Sequence, residues 1–245
     1  MAELMLDEKR KKSLDEFVAA MKSLYGDRLT ALYLVGDGAT EPGSLGARHL
    51  KLVAVMSVID MDVLGRYAGI HATWHGKGIA APLMMTWKTI ESSTDIFPME
   101  FLEMKESNVL LFGEDVLAGL DVGTENLRRE CEEQVKGKLI HFRQSYMESG
   151  GDEALIISLI STSIEPFADV MRNLLRLMGR PVPAGREAII KAFCAEAGLD
   201  EHPFAEALRM RQGAVRMKKA EADRLYALYL AELVKLAEKV DKMEV

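Results

Sequence analysis

LYLVGDGATEPGSLGARHLKLVAVM, residues Leu32–Met56, decides how the chain is read. Two apolar runs, Thr30–Val35 and Leu50–Met56, are rich in β-branched and aromatic residues and are expected to be buried strands. Between them stand Gly36, Gly38, Gly43 and Gly46, with Pro42 and Ser44. Few side chains obstruct such a turn, so backbone amides can approach a ligand, and phosphate is the usual occupant. The glycine spacing alone does not name that ligand.

Working outward, Ser13–Tyr25 has apolar residues at helical spacing (Leu14, Phe17, Met21, Leu24), Ser13 and Glu16 as a candidate capping box, and Gly26 as a stop. Beyond Met56, a helix is expected over Asp60–Trp74 with Met61, Leu64, Tyr67 and His71 or Trp74 on one face. Ala81–Trp87 reads as a third strand and Met99–Met104 (MEFLEM), by its alternation, as a fourth. Asn108–Leu120, with Gly113 and Gly119, reads as loop with a helical turn or two. The second half contains no strand pattern. Glu125–Met147 carries a stripe from Leu127 to Tyr146, and Glu153–Met178 is apolar nearly all round with Pro166 inside it. Shorter helices follow over Arg186–Ala197 and Pro203–Met210, and the last over Val215–Val240 has Leu225, Tyr229, Leu233, Leu236 and Val240 on one side. The expected architecture is α+β: a small mixed-sheet domain over 1–122 and an antiparallel all-α helical bundle over 123–245.

The chain has 245 residues, a hydrophobic fraction of 49% and a formal net charge of −7. This balance gives it a real core and argues against a broad nucleic-acid footprint. The one dense basic cluster, Lys9–Lys12, is expected to be a solvated helix face. No apolar run approaches the ~20 residues of a membrane span, and the N-terminus does not resemble a signal peptide, so no membrane partner and a cytoplasmic location are expected. Cys131 and Cys194 fall at apolar helical positions as buried free thiols, and the 15 methionines are expected as core filler.

A helix, strand, glycine turn and strand followed by a helical bundle resembles the nucleotidyltransferase superfamily. The nearer likeness is to its minimal and kanamycin-nucleotidyltransferase-like members with a HEPN-like bundle. The residues that carry it are LYLVG at Leu32–Gly36, HLKLVAVM at His49–Met56, and Met99–Leu117 leading into Leu127–Tyr146. The resemblance implies a Gly-Ser turn on a nucleoside triphosphate and an Asp-x-Asp or Glu pair at the start of the next strand. It also implies a third carboxylate on a later strand, the set together holding two magnesium ions.

The chain departs from that pattern at the chemistry. Asp37 follows Gly36 where the turn should carry Ser, and the two metal-binding positions fall on His49 and Lys51. Shifting the alignment by one residue finds no carboxylate. The exchange alters the local charge by about three units, which disfavours a two-metal site by kilocalories. The candidate cleft is therefore Gly36, Asp37, Gly38, Ser44, His49, Lys51 and Glu100, with Glu103 the other claimant for the third carboxylate and a surface strand position the simpler account of either. Lys51 either pairs with a nucleotide phosphate in place of the metal, or with Glu100, Glu103 or Asp37 to close the cleft.

Other motifs carry less. His71 and His75 have a metal-sharing spacing with no third ligand, so no metal site is expected. Gly76-Lys77-Gly78 lacks the rest of a P-loop, and neither Arg143 nor Arg176 has the following His of a HEPN ribonuclease. The expected function is that of a catalytically degenerate nucleotidyltransferase-like protein, a nucleotide- or ligand-binding or protein-interaction module without magnesium. The alternatives are an active transferase moving a nucleotidyl group from a nucleoside triphosphate to a small molecule or protein, and a subunit whose bundle mediates oligomerisation. Domain pairs of the resembling family often form homodimers, which makes a homodimer the expected assembly.

Overall fold

The computed structural model describes residues 6–36, 49–213 and 218–243. The chain divides into two compact units, Met1–Gly123 and Thr124–Val245. The first is α+β and the second is helical throughout its described residues.

In the first unit, helix α1 spans Glu8–Tyr25 and is followed by a 3-10 turn at Gly26–Arg28. It starts before the expected Ser13, because the Asp7 carboxylate accepts the Arg10 N–H at 2.8 Å and caps the helix there. Leu14, Phe17, Met21 and Tyr25 form its buried stripe. Strands β1 (Leu29–Val35) and β2 (Lys51–Met56) pair antiparallel. Helix α2 (Met61–Gly76) then crosses to β3 (Leu83–Thr86), which lies parallel to β2, as a parallel neighbour requires a crossover. Asp60 caps α2 through the Val63 N–H at 2.8 Å. The buried face of α2 is Val63, Tyr67 and Trp74, while Met61 is 79% exposed and Leu64 45%, so the expected stripe is rotated.

Two expectations are overturned in the next stretch. Met99–Met104 is not a strand: it lies in helix α4 (Pro98–Glu106), after a short helix α3 (Trp87–Glu91) whose cap, Thr86, ends β3. Pro98 occupies the first turn, where its missing N–H costs nothing. Pro98, Phe101 and Met104 recur at helical spacing, and the first two are buried. The apparent alternation of MEFLEM is incidental to that spacing. The fourth strand is instead β4, Asn108–Gly113, inside the stretch expected to be loop. It pairs antiparallel with β1, giving the sheet order β3-β2-β1-β4.

The sheet has a core on each face. Leu32 and Leu34 of β1 and Leu52, Ala54 and Met56 of β2 pack with α1 and α2, where Phe17 meets Trp74 edge-on with ring centroids 5.2 Å apart. Ala31, Tyr33, Val53 and Val55 pack the other way, against Met85, Ile90, Phe101 and Leu117. The buried Tyr33 hydroxyl donates to the Glu114 carbonyl at 3.1 Å and accepts the Val116 N–H at 2.7 Å, fixing the turn after β4. Burial pushes its phenol above the usual range.

In the second unit, α5 spans Thr124–Glu148, α6 Glu153–Leu177, α7 Arg186–Ala197, α8 His202–Arg211 and α9 Lys219–Asp241. The expected start of the last helix, Val215, lies outside the described residues. Helix α6 is central, packed against the other four. Its first turns bury only Ile156, Ile160 and Ile164, whereas from Phe167 to Leu175 nearly every residue is buried. By length and composition α6 is the one described helix long and apolar enough to cross a membrane, although Glu165 and Asp169 interrupt its apolar run. The stripe Leu225, Tyr229, Leu233, Leu236 and Val240 is buried, and Tyr229 meets Phe142, Phe204 and Phe167 edge-on. Cys131 and Cys194 are buried free thiols.

Gly113 has φ +88°, and a Cβ there would lie 1.9 Å from the Thr30 carbonyl oxygen, a backbone atom that cannot turn aside. Gly113→Ala is expected to lower the free energy of unfolding by about 2 kcal/mol or more. Gly119→Ala, with nothing within 4 Å of the new methyl, should change it by no more than about 0.5 kcal/mol. Urea unfolding of both variants measures the contrast.

Candidate functional site

The end of the sheet at which β1 finishes is the natural place for polar chemistry, because Ala31–Leu34 of β1 and Leu52–Met56 of β2 are buried. Register sets Val35 beside Lys51 on one side and Asn108 on the other. Gly36 follows with φ +85°, and its N–H donates to the Ser107 carbonyl at 3.0 Å. The Asn108 side-chain amide donates to the carbonyls of Met104 and Lys105 at 2.8 and 3.1 Å, closing the C-terminal end of α4. Ser107 and Asn108 were not anticipated as neighbours of Gly36, since their segment was expected to be loop.

Of the sequence candidates, Asp37, Gly38 and Ser44 lie outside the described residues. Lys51 is exposed, and its ammonium makes no hydrogen bond or ion pair with another described residue. Glu100 is exposed in the first turn of α4. It stands seven residues before Ser107, roughly 10 Å along the helix axis, so α4 carries it away from the end that meets Gly36. Glu103 is one turn closer. Neither carboxylate is on a strand, which corrects the expected position of a third metal-binding group.

His49 and Lys51 are also separated. Alternation aligns residues two apart only within a strand, and β2 begins at Lys51. Lys51 has the parity of Val53 and Val55, which face the α4 side. His49, just outside the strand, instead stacks on His75 in the last turn of α2, with centroids 4.2 Å apart and planes 27° from parallel. The His75 ring lies 5.5 Å from that of His71, and His71 lies 6.1 Å from Tyr67. The His71–His75 pair was legible as a four-residue spacing, but the third imidazole arrives from 26 residues upstream of His75 by chain folding.

The four strands LTALYLV, KLVAVM, LMMT and NVLLFG contain no Asp or Glu, and Lys51 is their one charged residue. The resemblance implies a magnesium pair held by strand carboxylates. The donor set does not fit it, because hard cations require several oxygen ligands. Among the described residues no three His, Cys, Asp or Glu converge as a metal-binding group. Thiol chemistry also lacks a donor: burial pushes both Cys131 and Cys194 up to about 12, far from thiolate formation at neutral pH. No protein-family model matches the chain, and no curated protein matches it in sequence.

Helix α2 is braced from outside by exposed ion pairs. Lys77 reaches Glu16 of α1 at 2.6 Å, and Asp62 takes Arg66 at 2.9 Å and Arg28 at 3.1 Å. The hydrogen bond from Lys77 holds the Glu16 carboxyl below its ordinary range. A carboxylate lowered in the folded state adds stability above its unfolded value and loses it as pH falls through the folded one. Glu16→Gln should therefore melt below the wild-type protein at pH 6, by a small margin since the pair is exposed. The gap should close below about pH 4. Melting curves of the two proteins between these values measure it.

Proposed function

We propose that the chain is a nucleotidyltransferase-like protein that has lost transfer chemistry and serves as a metal-independent binding module for nucleotide or a similar phosphate ligand. The observation that carries this reading is the charge of the sheet: four strands without a carboxylate, and an ammonium with no partner among the described residues at the end where the resembling enzymes need two. Replacing carboxylates by a cation inverts the preference of the site. Two unit charges about 4 Å apart interact by roughly 4 kcal/mol at an effective dielectric near 20, enough to repel a cation and attract an anion. Lys51 can reach a phosphate oxygen as a charge-assisted donor without a bridging metal.

The geometry supports binding over catalysis for a second reason. In-line transfer of a nucleotidyl group needs a group that takes the proton of the attacking oxygen and cations that neutralise the phosphates. Glu100 stands at the far end of α4 and His49 is turned onto α2, so neither is beside Lys51 to take that proton. Binding asks only for the ammonium and backbone donors beside it.

Thermal denaturation with ATP or GTP, with and without magnesium or manganese, tests the reading. The nucleotide should raise the melting temperature to the same extent with and without metal. Lys51→Ala should abolish the rise while leaving the melting temperature of the free protein nearly unchanged, because Lys51 is exposed and its ammonium has no partner among the described residues. Label transferred from an α-labelled triphosphate onto any acceptor would overturn the proposal in favour of an active transferase. A nucleotide shift that survives in Lys51→Ala would remove Lys51 from it.

A further inference from the structure

The cluster His49, His71 and His75 lies apart from the phosphate-binding reading and does not rest on it. The geometry points to a binding site for a divalent transition-metal ion of the zinc, nickel or copper kind, chelated by His71 and His75 on α2. The two are four residues apart, one helical turn, which sets both imidazoles on one face. Their ring centroids are 5.5 Å apart and their planes 52° from parallel. Two imidazoles that share a tetrahedral ion at nitrogen–metal distances of about 2.0–2.1 Å hold their centroids roughly 5 Å apart, so the pair needs little rearrangement to close on an ion.

Three further observations support an ion here. His71 Nδ1 is shielded from solvent and has no hydrogen-bond partner, an arrangement that costs free energy unless the nitrogen is satisfied. Both residues sit in the last two turns of α2, which ends at Gly76, where the partial negative charge of the terminal carbonyls favours a cation. Lys77, the cation nearest in sequence, is drawn off by Glu16 at 2.6 Å and lies over the Trp74 ring, 4.7 Å from its centroid.

Imidazole donors select the ion: zinc, nickel and copper take neutral nitrogen ligands, whereas magnesium and calcium require oxygen. His49 is not a ligand in this arrangement. Its ring is stacked on His75 at 4.2 Å with planes 27° apart, so the nitrogens of that pair run side by side rather than converging. The site is a two-imidazole chelate, its remaining positions open to water or an incoming ligand, with His49 orienting the His75 ring by stacking on it.

The test uses the untagged full chain titrated with Zn2+, Ni2+ and Cu2+ by equilibrium dialysis, with Cu2+ also followed by electron paramagnetic resonance. One equivalent should bind, with a spectrum showing two imidazole nitrogens. His75→Ala replaces an exposed residue and should weaken Kd at least tenfold with its unliganded melting temperature unchanged. His71→Ala with His75→Ala should abolish binding. Lys51→Ala should bind the metal as the wild-type protein does, which separates failure of this site from failure of the phosphate site. Absence of binding up to millimolar metal overturns the proposal. So does undiminished affinity in His75→Ala, since the ion would then sit elsewhere, for example at His141 or His202.

Discussion

Burial of β1 on both faces is the constraint on which the first unit depends. Flanked by β2 and β4, with Leu32 and Leu34 packed under α1 and α2 and Ala31 and Tyr33 packed the other way, β1 has no room for an unpaired polar side chain. The Tyr33 hydroxyl is admitted because the Glu114 carbonyl and the Val116 N–H satisfy it. Polar chemistry is thereby confined to the strand ends, and at the end bounded by Val35 the strands supply Lys51 and Asn108. The single charge that the four described strands bring to that end is the Lys51 ammonium.

The same constraint explains what could be read from the residues alone. β1 and β2 are buried on both faces, so they are written as nearly unbroken apolar runs that stand out without any structure. β4 is an edge strand and only partly buried, so NVLLFG offers only a four-residue apolar run, Val109–Phe112, without polar alternation. Its closing glycine resembles loop punctuation, although Gly113 is there because the Thr30 backbone leaves no space for a Cβ. MEFLEM fails for the opposite reason. Over six residues, alternation and helical spacing share several positions, and Pro98 at the first turn was the signal that separated them. In the second unit, long helices gave the 3.6-residue period enough turns to be unambiguous, and the stripe from Leu225 to Val240 is buried as read.

The site was less legible than the fold because it depends on where a strand begins. Treating His49 and Lys51 as a same-face pair extends alternation two residues beyond the strand: β2 starts at Lys51, Leu50 before it is bridged to Ile79, and His49 lies against His75 of α2. Nothing in HLKL marks that boundary. The imidazole that takes up His49 lies across a crossover helix, and a contact made by such a connection leaves no local trace in sequence.

For the proposed reading, the separation of His49 from Lys51 changes what the absence of a carboxylate pair means. Had both side chains faced one cleft, aspartates at the two positions would supply the donor pair that the resembling enzymes use. With position 49 turned to the helix side, an aspartate there would meet His75 rather than share an ion with position 51. The departure is thus built into the backbone at the start of β2, not only into two side chains. It follows that the ammonium at Lys51 and the imidazoles on α2 share no partner in the described structure, and perturbing one is not expected to disturb the other.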